Sequence, residues 1–482
     1  KESERERERK KREKRPLPHK RFWTMSGSRG HVNREEEAED GEEEEDEMGF
    51  IDPSTILEVW DLEDGEIVAR HRYRDGREIE VDSDEGTEDK DLSTGGGGDS
   101  SGEEEEEDVE ELENQSLATL LGHQDGVLTV AFHPVNEDVV ATGSMDEKGL
   151  LWKVSENLCS ALESLDSPDA GRPQFDLLGH KDTVVCTRFS ADGTLLATAS
   201  LDGSVRIWNT EDGSLVQVVE GQGGEFEWVD WHPRGPVICT GCEDGTLWMH
   251  NARSGDFMQV FTGHSGPVHC GAFTMDGKNI ISASEDGSVR LWDPRSGEVV
   301  GMVAGVSEAG ICSLARDPRN LHTVMVGTLD GEVSICNLDT GKAVSTLRGH
   351  SAEVECVGYC NTESLRHFVA SGSQDSKLVI WDLNTKKTRH VCEHPAGVVH
   401  LVWHPEEPWV LTACLDRVVR LWDARRGTVL RQWTGPHDVI TELTMSKSGK
   451  FFAVSSEDYR AMVFALEVSP SAAEEARSSS MP

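Results

Sequence analysis

Positive charge is scarce in this sequence. Its 47 lysines and arginines face 90 aspartates and glutamates, a formal net charge of −43. A chain so short of cations is poorly suited to neutralising phosphates, which argues against direct nucleic-acid binding and for basic partners. No apolar run approaches the roughly 18 residues a membrane span needs. The opening residues also lack the charged-then-apolar order of a secretory signal. The 11 cysteines are scattered with no closely spaced framework, so a reducing compartment is expected, the cytoplasm first and the nucleus second. Walker loops, GxSxG elbows and HExxH pairs are missing, which leaves no signature of a phosphate site, a nucleophile or a catalytic metal. No cofactor is expected.

The charge is unevenly placed. Residues 1–24 carry 11 bases and 5 acids, residues 25–116 carry 7 bases and 36 acids, and residues 117–482 carry 29 and 49. The basic run before Met25, the first methionine, reads as a nuclear-address segment or as sequence upstream of the translation start. Glu35 to Glu47 holds 11 acids in 13 positions, and a second acidic run spans Glu103 to Glu113. Segments of this kind repel themselves and bury little, so residues 1–116 are expected to be largely disordered. Within them, 54–81 alternates well enough for short strands, with Asp75-Gly76 as a hairpin turn. Gly95 to Gly98 has linker chemistry, and 468–482 reads as a disordered tail.

From residue 117 to 467 the chain repeats. A Gly-His, an apolar strand, an Asp-Gly turn, a small-residue strand, a second Asp-Gly and a strand ending in Trp recur in order. Aligned on one aspartate, the units fall at Asp146, Asp202, Asp244, Asp286, Asp330, Asp375, Asp416 and Asp458, spaced 56, 42, 42, 44, 45, 41 and 42 apart. A period near 42 suits four short strands per unit, so the expected fold is all-β, a WD-repeat propeller of eight blades. Its ring should close when Ser116 to Leu121 supplies the outer strand of the last blade, which hides two sheet edges.

Three units repeat a polar set: His180, Ser200, Asp202 and Trp208; His264, Ser284, Asp286 and Trp292; His350, Ser373, Asp375 and Trp381. Ser, His and Asp together suggest a hydrolase, but one molecule has no use for several copies of a triad. Satisfying buried polar groups at one end of each blade explains them better, and no enzyme is expected. Cys239 and Cys242 form a lone CxxC on a strand, where three-residue spacing sends side chains to opposite faces, so no metal site is expected.

Two features exceed scaffold needs. Glu225, Glu227 and Trp228 start the third unit with acids and an indole, chemistry suited to a basic peptide through charge pairing and cation–π contact. Asp182, Glu353 and Glu355 stand at comparable strand starts. The second feature is Trp-Asp-x-Arg, ending in Arg295 and Arg425, which resembles the element by which WD-repeat substrate receptors engage cullin-type ubiquitin-ligase adaptors.

With FEWVDWHPRGPV, EDGSVRLWD, LDRVVRLWDARRG and SSEDYRAMVF, residues 117 to 467 resemble the angio-associated migratory cell protein family, which includes a chaperone of large-subunit ribosome assembly. The resemblance implies an eight-bladed propeller whose acidic face holds the basic segment of a newly made large-subunit ribosomal protein, and a monomer is expected. The alternative it leaves open is a signalling or cell-migration scaffold, or a ligase substrate receptor. The long insertion between the first two units and the segment 54–81 depart from the family pattern.

Overall fold

The computed structural model describes residues 114–154, 173–221 and 224–466, and the backbone of three strands before them. Those strands, Ile56–Glu63, Glu66–Tyr73 and Glu78–Ile79, form a small antiparallel sheet of their own, with Trp60 opposite Ala69 and His71 opposite Ile79. All three fall within 54–81. The acidic runs and the residues after 466 lie outside the described residues.

The rest is a ring of eight four-stranded antiparallel sheets. Blades 1 to 8 begin with the innermost strands Val127–Phe132, Val184–Phe189, Phe226–Trp231, Cys270–Phe273, Ile311–Arg316, Cys356–Tyr359, Val398–Trp403 and Ile440–Met445. Blade 8 is completed from the other end of the repeat region. Arg460–Ala465 pairs with Ala118–Leu121, Arg460 opposite Leu121 and Val463 opposite Ala118. The expected closure is thus observed, and it joins two segments more than three hundred residues apart.

Burial explains why each strand has the composition it has. Second strands lie between neighbouring blades and are buried at every position in Val139–Ser144, Leu195–Ser200 and Phe368–Ser373. They accordingly read as unbroken runs of small and apolar residues. Fourth strands face solvent along one side, as in Leu215–Glu220, and are correspondingly mixed. The core is a series of apolar seams between adjacent blades, such as the one joining Leu128 and Val205 to Phe226 and Trp231.

The turn after each aligned aspartate requires positive φ. Glycine meets this at Gly203 (75°) and Gly287 (70°), whereas Glu147, Ser376, Arg417 and Tyr459 adopt it at 65–69°. A side chain there crowds the following carbonyl. Tyr459→Gly, at a side chain 52 % exposed, is therefore expected to stabilise the fold by about 0.5–1 kcal/mol, read as a higher urea midpoint.

Candidate functional site

In each blade the turns joining strands two to three, and the loops leading into strand one, share one end of the ring. Chain topology brings the eight aligned aspartates there, together with Asp182, Glu225, Glu227, Glu353 and Glu355.

The histidine–aspartate networks lie under this end. In blade 4, Nδ1 of His264 is 2.9 Å from Asp286, its Nε2 is 2.8 Å from Ser282 Oγ, and the Trp292 indole donates to that same hydroxyl at 2.8 Å. A neutral imidazole satisfies every member: indole N–H to hydroxyl, hydroxyl to Nε2, Nδ1–H to carboxylate. Burial holds His264 below its ordinary pKa, although Asp286 pulls the other way. Burial also opposes the charge on Asp286, but bonds from His264 and Ser288 outweigh it and keep the carboxyl far below the usual range.

Blade 2 repeats this with His180, Thr198, Asp202 and Trp208, and blade 6 with His350, Ser371, Asp375 and Trp381. Blade 1 has a fourth copy in His123, Thr142, Asp146 and Trp152, in addition to the three expected from the sequence.

The hydroxyl in these networks corrects the expectation. Ser200, Ser284 and Ser373 touch neither imidazole nor indole. Each donates to a backbone carbonyl (of Asp182, Gly266 and Ala352) and accepts the backbone N–H of the aspartate two residues on. They brace the turn. The residue inside the network stands two positions earlier, at Thr198, Ser282 and Ser371, on the same face of the strand. The signal for it lies in the chain: units 5 and 8 have valine at that position, Val326 and Val454, and are also units without the tryptophan, ending in Cys336 and Phe464.

The acidic stretch of blade 3 divides into parts with different roles. A bulge between Phe226 and Trp228 leaves Glu227 without a cross-strand partner in the register and sets Trp228 opposite Gly241. The Trp228 indole is 7 % exposed and donates to the Val268 carbonyl at 2.9 Å. A Cβ at Gly241 or Gly271 would stand 2.1 or 2.3 Å from that ring. Trp228 therefore fills the seam between blades 3 and 4, and the expected contact role does not fit its position. Glu227 is also largely enclosed, and its carboxylate is 2.6 Å from Nδ1 of His269 in blade 4. Glu225, Asp182, Glu353 and Glu355 are half-buried at the same end. Asp182 accepts its neighbour's N–H at 2.8 Å, and Glu355 accepts from Gln374 at 3.0 Å.

The opposite end holds the two Trp-Asp-x-Arg elements. Arg425 folds back on Asp423, a fully buried carboxylate, with contacts of 3.1 and 3.3 Å. It pins its own turn. Arg295 is exposed, and its backbone N–H is what binds Asp293. Cys239 and Cys242 are both fully buried in separate seams, and burial pushes the Cys242 thiol up to about 12. Among the described residues no cluster of histidine, cysteine and acids is arranged to hold a metal.

Comparison with known proteins agrees with this architecture. The family model for the N-terminal domain of nucleolar protein 10-like proteins matches residues 228–470, half of the chain, and the WD domain, G-β repeat model matches 114–153 and 171–209. This chain is a WD-repeat β-propeller and belongs to the nucleolar protein 10-like family. The propeller is homologous to the angio-associated migratory cell proteins of dog and human, 29 % identical over 369 residues, 73 % of this chain and 80 and 81 % of theirs. Its fold also matches a crystal structure of Chaetomium thermophilum Sqt1 bound to the N-terminus of ribosomal protein L10. That likeness has a TM-score of 0.64 at 23 % identity and covers 73 % of this chain and all of Sqt1.

Proposed function

We propose that this propeller is a dedicated, monomeric chaperone of the cytoplasm, which holds the basic segment of a newly made large-subunit ribosomal protein against its acidic end. The observation carrying this reading is the charge at that end. Carboxylates at strand starts in blades 2, 3 and 6 surround the mouth of the ring. Arginines at the same end are already engaged: Arg290 beside Asp286, Arg348 with Glu332, Arg420 with Asp416. A cationic segment laid across this end meets carboxylates while Arg290, Arg348 and Arg420 are already paired, which speeds encounter and favours basic clients over acidic ones. The homology and the fold-likeness to a propeller crystallised with a ribosomal-protein N-terminus support the same reading.

The test is binding of the basic N-terminal segment of a large-subunit ribosomal protein by the full chain, with Asp182, Glu225 and Glu353 changed together to lysine. Glu227 is left intact because reversing it would break its contact with His269. Affinity should fall at least about tenfold, and the salt dependence of what remains should flatten. Unchanged affinity in a folded triple variant rejects the assigned surface. Failure of the wild-type chain to bind any such segment rejects the function.

A further inference from the structure

Blade 3 departs from its neighbours in a way that leaves a place for an arginine. The position two residues before the network tryptophan is Arg206 in blade 2, Arg290 in blade 4 and Arg420 in blade 7, each opposite the network hydroxyl. These arginines are used internally. Arg420 binds both oxygens of Asp416, at 3.0 and 2.5 Å. Arg290 lies 3.8 Å from Asp286 with its guanidinium 5.8 Å from the centre of the Trp292 ring. Arg206 donates to the Gly179 carbonyl at 2.7 Å.

In blade 3 that position is Trp248, opposite Thr240, and the Gly-His of other units is replaced by Gly221-Gln222. Asp244 is exposed and, among the described residues, bonded only within its own turn, to the amide and hydroxyl of Thr246 at 2.9 and 2.6 Å. The Trp248 indole N–H donates to that same hydroxyl at 2.8 Å, which fixes ring and carboxylate side by side. Phe257, 54 % exposed, meets the ring edge-on at 5.7 Å, and His250 stacks along it at 6.3 Å. Among the described residues, His250 Nδ1 is buried with no hydrogen-bond partner.

We propose that blade 3 is an arginine receptor, in which a guanidinium from the partner lies over the Trp248 indole and pairs with Asp244. It supplies from outside the cation that blades 4 and 7 supply from within. The inference rests on the proposed function for its basic partner and adds the side chain this blade selects. Arginine fits better than lysine because its flat guanidinium stacks on an indole while still donating in its plane to a carboxylate, whereas an ammonium is a strongly hydrated point charge.

The full chain is titrated into fluorescein-labelled hexa-arginine and hexa-lysine peptides at moderate salt, which makes overall charge equal between probes. Hexa-arginine is expected to bind at least about threefold more tightly. Trp248→Arg, which recreates the internal arrangement of blades 4 and 7, and Asp244→Asn should each abolish that preference, while Trp248→Phe, keeping an aromatic face, retains part of it. Thermal midpoints equal to wild type establish that the variants fold. No preference in the wild type, or a preference surviving Trp248→Arg in a folded protein, overturns the receptor. Failure of this test leaves capture of the ribosomal segment by the strand-start carboxylates standing, since those residues are intact in every variant. Conversely, hexa-arginine preference lost on substitution without any ribosomal-protein binding would keep the receptor and reject the client.

Discussion

Replacing Leu120 with aspartate is expected to open the ring and cost at least about 4 kcal/mol, while the same change at Leu121 is nearly neutral. The two residues are adjacent on the strand that completes blade 8 and point to opposite faces. Leu120 is 2 % exposed and packs with Val127, Val140 and Trp152 of blade 1 and with Phe451 and Ala461 of blade 8, whereas Leu121 is 55 % exposed. A carboxylate at 120 is buried among hydrocarbon with no cation beside it. Backbone pairing from Arg460 to Val463 then joins two segments whose shared seam no longer holds. Urea midpoints of the two variants check this, and equal midpoints would mean that closure contributes little.

The second large effect is Asp286→Ala, expected to cost about 3–4 kcal/mol, against less than about 1 kcal/mol for Asp244→Ala at the same position of blade 3. Asp286 accepts from His264 at 2.9 Å, from the backbone of Ser265 and Ser288 at 3.0 and 2.9 Å, and from the Ser288 hydroxyl at 2.7 Å. Removing it strands a buried imidazole. Among the described residues Asp244 carries only its turn bonds, so its loss strands little.

The same networks set the response to acid. The carboxyl of Asp286 titrates lower in the folded chain than its ordinary 3.8, so the stability it confers is complete above that value and is lost as pH falls below it. His264 is lowered by burial, and so is His394, the blade 7 imidazole whose Nε2 lies 2.9 Å from Thr412 Oγ1, to about 4 from 6.5. The unfolded chain accepts protons that these folded imidazoles resist. Their contribution is therefore complete above 6.5 and declines as pH falls, ending for His394 near 4. Urea midpoints should fall gently from pH 6.5 to 4 and more steeply below, and Asp286→Ala should soften the lower limb.

Much of this protein was legible as a string. The spacing of eight aspartates determined the number of blades, because each blade needs its own tight turn at a fixed offset. The apolar run ending at Leu121 determined the closing strand, because a ring with an open last blade leaves two sheet edges unpaired. Histidine, aspartate and tryptophan of the networks were recognisable because they recur. What the string left open was decided across strands and blades. Thr198 and Ser200 share a face, and although the valines of units 5 and 8 mark the first as the network position, the contact is made only where the folded chain brings the indole to it. A one-residue bulge leaves Glu227 without a cross-strand partner and sets Trp228 opposite Gly241, and two glycines from different strands make room for the indole. Arg425 and Asp423 are consumed by each other, while Asp244 keeps a carboxylate free of arginine because the residue four places on is Trp248. Local spacing fixes which residues recur. Which of them are used up inside the fold, and which remain for a partner, depends on distances between segments that the sequence does not place together.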